Sequence, residues 1–399
     1  MKKKLITSSW PCFTQEEAAK IQEILLSNKV NYWTGSECIE FEKEFAKFSD
    51  TKFAIALANG TVALDLALKG LDIGIGDEVI VTSRTFIASV SCIVNSGATP
   101  KFADVELDSQ NICLESIKSL LSAKTKAILC VHLAGWPCNM EAICKFANEN
   151  GLLVIEDCAQ AHGAKFKGKS VGSFGDIGCW SFCQDKIITS GGEGGMVTTN
   201  DNELWKKMWS YKDHGKNYDI IKQQKSKIGF LWTHNSFGTN WRMTEVQAAI
   251  GRIQLKRIDE WNKKRRFNAE AIWNAVRGLP GIRVANFKCA NCLGHCDTTT
   301  GCLHAAYKCY IFVENGEDRR DALIKTINEK GVFCSSGSCP EVYLEKAFDN
   351  TGLRPKKRLP NAKKLGATSL MFQCHPTLTE NEIRITCDII KESILDLNN

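Results

Sequence analysis

The 399-residue chain lacks the features that mark membrane-spanning, exported and nucleic-acid-binding proteins. No apolar run approaches the roughly 20 residues that a membrane-spanning helix needs, so we expect no membrane contact. The basic start, Met1-Lys-Lys-Lys4, is not followed by the apolar segment of a signal peptide, which predicts a cytoplasmic protein. The net charge of +6 is spread along the chain instead of forming a block, which favours a small anionic substrate over nucleic acid.

Cysteine, in contrast, is abundant, with 19 residues scattered through segments that have the apolar pattern of a core. Because no export signal precedes them, we interpret them as reduced thiols. One group of cysteines and histidines has a spacing that invites a zinc interpretation. Its members are Cys289, Cys292, His295, Cys296, Cys302, His304 and Cys309. Because a second closely spaced cysteine pair is missing, we favour free thiols in a surface loop and predict no metal.

The order of predicted elements indicates an α/β fold. From Phe53 to about Trp209, short apolar strands alternate with helices. This alternation predicts a mostly parallel sheet with helices on both faces, in which ligands bind at the carboxyl ends of the strands. The polar stretch 211–235 predicts a long loop, and a helix from Thr244 to about Arg266 is expected to connect two domains.

The same pattern predicts the domain organisation. A large domain is expected over residues 1–255, and it begins with a helical segment at 14–50. A smaller α+β domain is expected over residues 256–399. Two domains of this size are each large enough to bury a core.

Lys186, between two predicted strands, is the centre of the candidate site. The first strand is Ile177–Phe182, and a glycine-rich turn at Gly191–Gly195 leads into the second. Glycine lets the backbone approach a ligand closely, and a lysine placed there can form a Schiff base with a carbonyl. A single lysine is more often an ordinary solvated residue, so this interpretation depends on the rest of the chain.

Loops that follow three predicted strands add candidate residues. Asn59-Gly60-Thr61 opens a helix whose free N–H groups suit a phosphate, although helix capping alone explains the triplet better. Phe86 offers a flat apolar ring that suits a pyridine. Asp157 ends a buried strand, where a carboxylate is costly without a cationic partner.

Taken together, these positions resemble the DegT/DnrJ/EryC1/StrS family over roughly residues 14–380. The family consists of pyridoxal phosphate (PLP) enzymes that mostly transaminate keto-sugars carried on nucleotides. The resemblance is most specific in Asn59–Thr61, Asp157–Gln160, Ser181–Lys186 with Gly192–Gly195, and Asn240–Arg242. It implies the PLP-dependent transferase fold type I, which is aspartate aminotransferase-like, and a homodimer with shared active sites.

The resemblance also assigns roles to single residues. Lys186 would hold PLP and move protons, and Asp157 would bind the ring nitrogen, which makes PLP an electron sink. Phe86 would stack on the ring, and Gln160 would lie near its 3-oxygen. The phosphate would be bound by four residues, the last of them donated by the partner subunit: Gly60, Thr61, Ser181 and Asn240.

The implied activity is transfer of an amino group from glutamate to a nucleotide-linked keto-sugar. A 4-keto-6-deoxyhexose is expected, for the biosynthesis of surface polysaccharide such as lipopolysaccharide, or of another glycan. A PLP-dependent sugar-nucleotide dehydratase is the first alternative, but those relatives carry a histidine where this chain has Lys186. A non-catalytic regulatory protein, or a metal-binding module centred on 289–309, are the others.

Overall fold

The computed structural model describes residues 5–223, 230–285, 301–314 and 316–397. The helices there are α1 (Gln15–Ser27), α2 (Glu37–Phe48), α3 (Gly60–Gly70), α4 (Ala88–Asn95), α5 (Leu114–Leu120), α6 (Met140–Glu149), α7 (Asn202–Lys212), α8 (Tyr218–Gln223), α9 (Glu245–Val276), α10 (Glu317–Glu329), α11 (Pro360–Thr368) and α12 (Glu380–Asp396). The strands there are β1 (Phe53–Leu57), β2 (Glu78–Thr82), β3 (Thr99–Ala103), β4 (Thr125–Val131), β5 (Leu153–Asp157), β6 (Lys165–Phe166), β7 (Lys169–Ser170), β8 (Ile177–Ser181), β9 (Gly195–Thr199), β10 (Ile282–Val284), β11 (Cys309–Val313), β12 (Cys334–Ser335) and β13 (Ser369–Phe372). None of these helices combines the length and the apolar character needed to cross a membrane.

A seven-stranded sheet forms the centre of the larger part of the molecule, in the order β1-β9-β8-β5-β4-β2-β3. Strands β3, β2, β4, β5 and β8 pair in parallel, whereas β9 runs antiparallel to both of its neighbours. Helices pack on both faces, and their apolar residues form two separate buried clusters with the strands. The predicted α/β architecture with a mostly parallel sheet is therefore confirmed.

A second sheet lies in the C-terminal part and is entirely antiparallel, in the order β10-β11-β13-β12. Helices α10 and α12 cover it, which gives the α+β character that the sequence predicts. Helix α9 connects the two sheets and continues ten residues beyond the predicted end at Arg266. It continues because Ile272, Trp273 and Val276 pack into the core of the second sheet. The helix crosses residue 255, so the domain boundary proposed there falls inside a continuous element.

The stretch predicted as a long loop, 211–235, is only partly irregular, and this prediction was wrong in one respect. Helix α8 lies within it, after α7 ends at Lys212. The Asn217 side chain accepts the N–H of Ile220 at 3.0 Å and so caps the short helix. Tyr218 packs edge-to-face on Trp205 and Trp209, with ring centroids 4.7 and 4.9 Å away. These tertiary contacts are not visible in the polar pattern of the segment.

The cysteine and histidine group is described only in part. Cys289, Cys292, His295 and Cys296 lie outside the described residues. Cys302, His304 and Cys309 are buried, so the expectation of a surface loop is wrong for these three. The Lys167 N–H donates to the Cys302 thiol at 3.4 Å, and the Ala306 N–H donates to His304 Nδ1 at 2.7 Å. These contacts give both side chains a structural role.

Candidate active site

A cavity of about 790 Å³ lies at the carboxyl ends of the central strands, facing the second sheet. Its lining contains seven of the eight predicted site residues: Gly60, Thr61, Phe86, Asp157, Gln160, Ser181 and Lys186. Tyr310 and Met371 of the second sheet complete the opposite wall. Residues that are up to 126 positions apart in the sequence, from Gly60 to Lys186, thus meet at one sheet edge, where ligands bind in α/β folds.

The Lys186 segment lies in the connection between the antiparallel strands β8 and β9. The Phe182 N–H donates to the Gly194 carbonyl at 2.8 Å, and the Gln184 N–H donates to the Gly192 carbonyl at 2.9 Å. Gly191 and Gly192 have φ values of 82° and 124°, which favour glycine, so the chain can turn tightly here. The Lys186 Nζ lies 3.4 Å from the Asp185 carboxylate, and its side chain is 17% exposed. The lysine is therefore half-buried and directed by a neighbouring anion.

Asp157 is the last residue of β5 and is almost fully buried at the cavity. Its carboxylate accepts the Ser89 hydroxyl at 2.8 Å and the Ala159 N–H at 3.0 Å. Burial raises the pKa of Asp157 above its ordinary value, although these two hydrogen bonds and the charge of Lys186 act to lower it. A buried carboxylate facing a cavity is suited to a cationic partner such as a protonated ring nitrogen.

The N-terminus of α3 and Ser181 form a cradle beside Lys186. Asn59 caps the helix by accepting the Val62 N–H at 3.0 Å, so the N–H groups of Gly60 and Thr61 belong to the unpaired first turn. A Cβ added at Gly60 would lie 2.6 Å from the Ser181 Cβ, so only glycine permits this approach. The free N–H groups, the helix dipole and the two hydroxyls of Thr61 and Ser181 suit a phosphate.

Phe86 and Gln160 face the same cavity. The Phe86 ring is 68% exposed although the residue lies at the start of a buried helix, which leaves a flat apolar surface available for stacking. The Gln160 Oε1 accepts the Ala134 N–H at 2.8 Å. This bond fixes the amide so that its other end points away from the backbone of Ala134.

Asn240 is the one predicted site residue that the structure does not bring to this cavity. It is exposed on the stretch that follows α8, and its backbone bridges to Asp213. The neighbouring Arg242 donates to the Asp213 carboxylate at 2.7 Å, which holds the stretch in place. Asn240 therefore belongs to the outer surface of the single chain.

Several residues that the sequence placed near the site lie elsewhere. His162 is packed between Trp180 and Phe182 in the core, and its burial and the charges of Lys186 and Arg265 lower its pKa to about 3. A neutral histidine in this position has no access to the cavity. Arg84 is fully buried and donates to the Ser369 hydroxyl at 3.0 Å.

Other residues of the cavity were missed by the sequence reasoning. Ser89, which bonds Asp157, lies one helical turn after Phe86, so an i, i+3 relation could have revealed it. Tyr307 donates its hydroxyl to Asp185, and its ring lies 5.3 Å from the Lys186 Nζ. No local pattern points to Tyr307, because it follows an irregular stretch and is about 120 positions from Lys186.

Within the described residues, three side chains are spaced for a metal ion: His132, Glu156 and Cys158. Hydrogen bonds already use most of their ligand atoms. The Cys138 N–H donates to His132 Nδ1, so His132 Nε2 carries the proton that faces Glu156 at 3.0 Å. Glu156 also accepts three backbone N–H groups from the turn 172–175. Burial would raise the pKa of Glu156, but these hydrogen bonds lower it, so this group anchors a turn.

The fold and the cavity together define a PLP-dependent transferase of fold type I, in which a lysine between two strands faces a carboxylate at the end of a third. A family model described as the DegT/DnrJ/EryC1/StrS aminotransferase family matches residues 11–391. The chain belongs to this family, and the predicted family and the predicted class of enzyme, an aminotransferase, are confirmed.

Individual proteins agree with this assignment. The solved structure of an aminotransferase from Psychrobacter cryohalolentis is 56% identical and has a TM-score of 0.94, with 98% of this chain and 100% of that chain covered. The GDP-perosamine synthase of Escherichia coli O157:H7 is 34% identical over 97% of this chain and 98% of its own length. A dTDP-3-amino-3,4,6-trideoxy-alpha-D-glucose transaminase of Streptomyces venezuelae is 32% identical over 94% and 92%.

Proposed function

We propose that the protein is a PLP-dependent aminotransferase that transfers an amino group from glutamate to a nucleotide-linked keto-sugar. One observation carries the proposal: Lys186, Asp157 and the cradle of α3 with Ser181 face a single cavity. The residues fit PLP, because a phosphate cradle, a buried carboxylate and a half-buried lysine are the three groups that the cofactor requires.

Each residue of the cavity has a defined task in this proposal. Ser181, Thr61 and the N–H groups of Gly60 and Thr61 would bind the phosphate, and Asp157 would hold a proton on the ring nitrogen. Phe86 would cover one face of the ring, and Gln160 would bond its 3-oxygen. Lys186 would hold the cofactor through its Nζ. When bound, PLP supplies an electron sink for the α-carbon of the amino donor.

Lys186 is also the proton carrier. Its Nζ removes the proton from the α-carbon of glutamate and later delivers a proton to the carbon that receives the amino group. Asp185, 3.4 Å from the Nζ, orients the amine, and the Tyr307 hydroxyl holds Asp185 in turn. The same residues work in reverse when the keto-sugar receives the amino group.

The sugar acceptor is proposed from the relatives and from the size of the site. The two curated relatives named above carry GDP- and dTDP-linked sugars in their names. A cavity of about 790 Å³ has room for a substrate that is larger than an amino acid. We propose a 4-keto-6-deoxyhexose on a nucleotide as the acceptor, in a cytoplasmic pathway to surface polysaccharide or another glycan.

A homodimer is part of the proposal, because Asn240 would complete the phosphate site of the partner subunit. Its exposure on the single chain supports this role. Three large rings on the same stretch are 80%, 82% and 99% exposed: Phe230, Trp232 and Phe237. Apolar rings exposed to this degree are typical of a surface that a second copy covers.

Exchange of Lys186 for arginine tests the central claim. The wild-type protein with PLP should be yellow, and glutamate alone should bleach it without any sugar. Lys186→Arg keeps the positive charge, but its guanidinium stays protonated and cannot act as the base. We expect PLP to remain bound and the bleaching rate to fall by at least about 10²–10⁴-fold.

Lys207→Arg is the matched control, because Lys207 pairs with Asp72 on the surface and should leave the rate unchanged. A normal bleaching rate in Lys186→Arg would end the proposal. A panel of GDP-, dTDP- and UDP-linked keto-sugars, each with glutamate, then identifies the acceptor by formation of the aminosugar.

A further inference from the structure

A second cavity, of about 230 Å³, adjoins the cavity of Lys186. Asp185, Tyr307 and Lys308 line both of them. The remaining walls include Ser9, Trp10 and Arg265. A water molecule occupies about 30 Å³ in the liquid, so this space holds several waters or a small polar group.

Arg265 is the unusual group of this second cavity. The residue is only 2% exposed, and its Nε and Nη2 are buried without a hydrogen-bond partner in the described part of the chain. Its guanidinium lies over the Trp10 ring, 4.7 Å from the centroid. Burial lowers the pKa of Arg265 to about 10, so the group is still charged at neutral pH. A buried charge of this kind is costly unless an anion pairs with it.

The protein itself does not supply that anion among the described residues. Asp185 is the acidic residue of the cavity, but its carboxylate lies 3.4 Å from the Lys186 Nζ and accepts the Tyr307 hydroxyl. Arg265 forms no ion pair within 4.0 Å in the described chain, where the ion pairs of the other arginines are found. Lys308 adds a second cation, so the cavity carries excess positive charge.

His375 does not change this balance. Its burial, together with the charges of Arg265 and Lys308, lowers its pKa to about 4, so the ring is neutral at pH 7. Its Nδ1 lies 2.8 Å from the Thr377 hydroxyl. The cavity thus combines a fixed guanidinium and an ammonium with neutral polar groups, which is the lining of a site for one small anion.

We propose that this second cavity binds the distal carboxylate of a dicarboxylic amino donor, an inference that rests on the proposed function. The planar fork of a guanidinium matches a carboxylate, to which it donates two parallel hydrogen bonds. The two cavities meet at Asp185 and Tyr307, so a donor whose α-carbon lies at Lys186 can extend its side chain toward Arg265. Arg265 then distinguishes glutamate from donors that lack the second carboxylate.

Binding of unreactive acids to the PLP-loaded protein is the first test. Glutarate has two carboxylates and pentanoate has one, and neither carries an amine that can react. Calorimetry should show that glutarate binds the wild type about ten- to a hundredfold more tightly than pentanoate. Arg265→Met should abolish this difference, whereas Lys263→Met, an exposed position on the same helix, should preserve it.

Rates of the half-reaction are the second test. Glutamine has the shape of glutamate with a neutral amide in place of the distal carboxylate. Arg265→Met should slow bleaching by glutamate about ten- to a hundredfold and leave bleaching by glutamine unchanged. Arg265→Lys keeps the charge without the fork and should recover part of the loss.

Three outcomes would overturn the inference. The first is equal affinity of the wild type for glutarate and pentanoate, which needs no variant and so does not depend on how Arg265→Met folds. The second is a glutamate-to-glutamine rate ratio that Arg265→Met leaves intact. The third is Arg265-dependent binding of chloride or sulfate without any effect on that ratio, which identifies an inorganic-anion site. Failure of the proposed function is distinct, because an enzyme that no amino donor bleaches can still bind glutarate through Arg265.

Discussion

Asp157 is the residue whose charge matters most for the chemistry. It is buried, hydrogen bonded by Ser89 and Ala159, and directed at the cavity. Asp157→Asn keeps the shape but cannot hold a proton on the cofactor's ring nitrogen. We expect PLP to remain bound while glutamate-driven bleaching slows by about 10²–10³-fold. Stopped-flow absorbance measures this rate, and a rate equal to that of the wild type would contradict the role of Asp157.

Gly60 is a residue whose lack of a side chain has a measurable effect. An alanine Cβ there would lie 2.6 Å from the Ser181 Cβ and would push α3 away from β8. We expect Gly60→Ala to destabilise the fold by about 1–3 kcal/mol and to weaken PLP binding. Equilibrium dialysis gives the PLP affinity. Gly74→Ala is the control, since its Cβ would meet the Ser96 carbonyl at an ordinary 3.4 Å, and a control as weak as Gly60→Ala would reject this explanation.

At the scale of elements, Glu382 joins the N-terminal segment to α12. Its carboxylate accepts the N–H groups of Thr7 and Ser8 at 2.8 and 2.9 Å and the Ser8 hydroxyl at 2.6 Å. Although burial acts to raise it, the hydrogen bonds from Ser8, Thr379 and Thr7 lower the pKa of Glu382 well below its ordinary value. We expect Glu382→Gln to reduce the free energy of unfolding by about 1–3 kcal/mol at pH 7.

The pH dependence of this loss has a definite sign. The folded-state pKa of Glu382 is lower than the unfolded-state value, so its contribution is complete above about pH 4.5 and is lost as the pH falls through the folded-state pKa. Urea unfolding at pH 7 and pH 4 should therefore show a smaller difference between wild type and Glu382→Gln at pH 4. Glu380→Gln, on the exposed first turn of α12, should differ little from the wild type at either pH. A difference that grows toward low pH would contradict this account.

Most elements could be predicted from the sequence, and the failures have a common physical cause. Strands β2 and β5 are continuous apolar runs in a buried sheet, and α1 and α9 begin with capping boxes at Thr14 and Thr244, so local signals were enough. The short helix α8 and the last turns of α9 depend on distant partners. The same holds for the site, where Lys186 has a local context but Tyr307 reaches the cavity only through the tertiary fold.

At the scale of the whole molecule, the exposed Asn240 predicts that active sites are assembled from two chains. Asn240→Ala and Lys186→Ala subunits should each be weakly active or inactive as homodimers. Co-expression with two different tags yields heterodimers in which one site retains both residues. Their activity should clearly exceed that of either parent and approach half of the wild-type value per dimer. Light scattering should give a dimer, and a fully active monomer would reject the shared site.

The antiparallel course of β9 has a consequence for local stability. Because β8 and β9 run in opposite directions, both ends of the Lys186 segment are hydrogen bonded into the centre of one sheet. Phe182, Ile187 and Ile188 are fully buried. Amide protons of this segment should therefore exchange with deuterium only through global unfolding, whereas those around Asn240 should exchange through small local openings. Subunits can then separate and reassociate while each chain keeps its lysine in place.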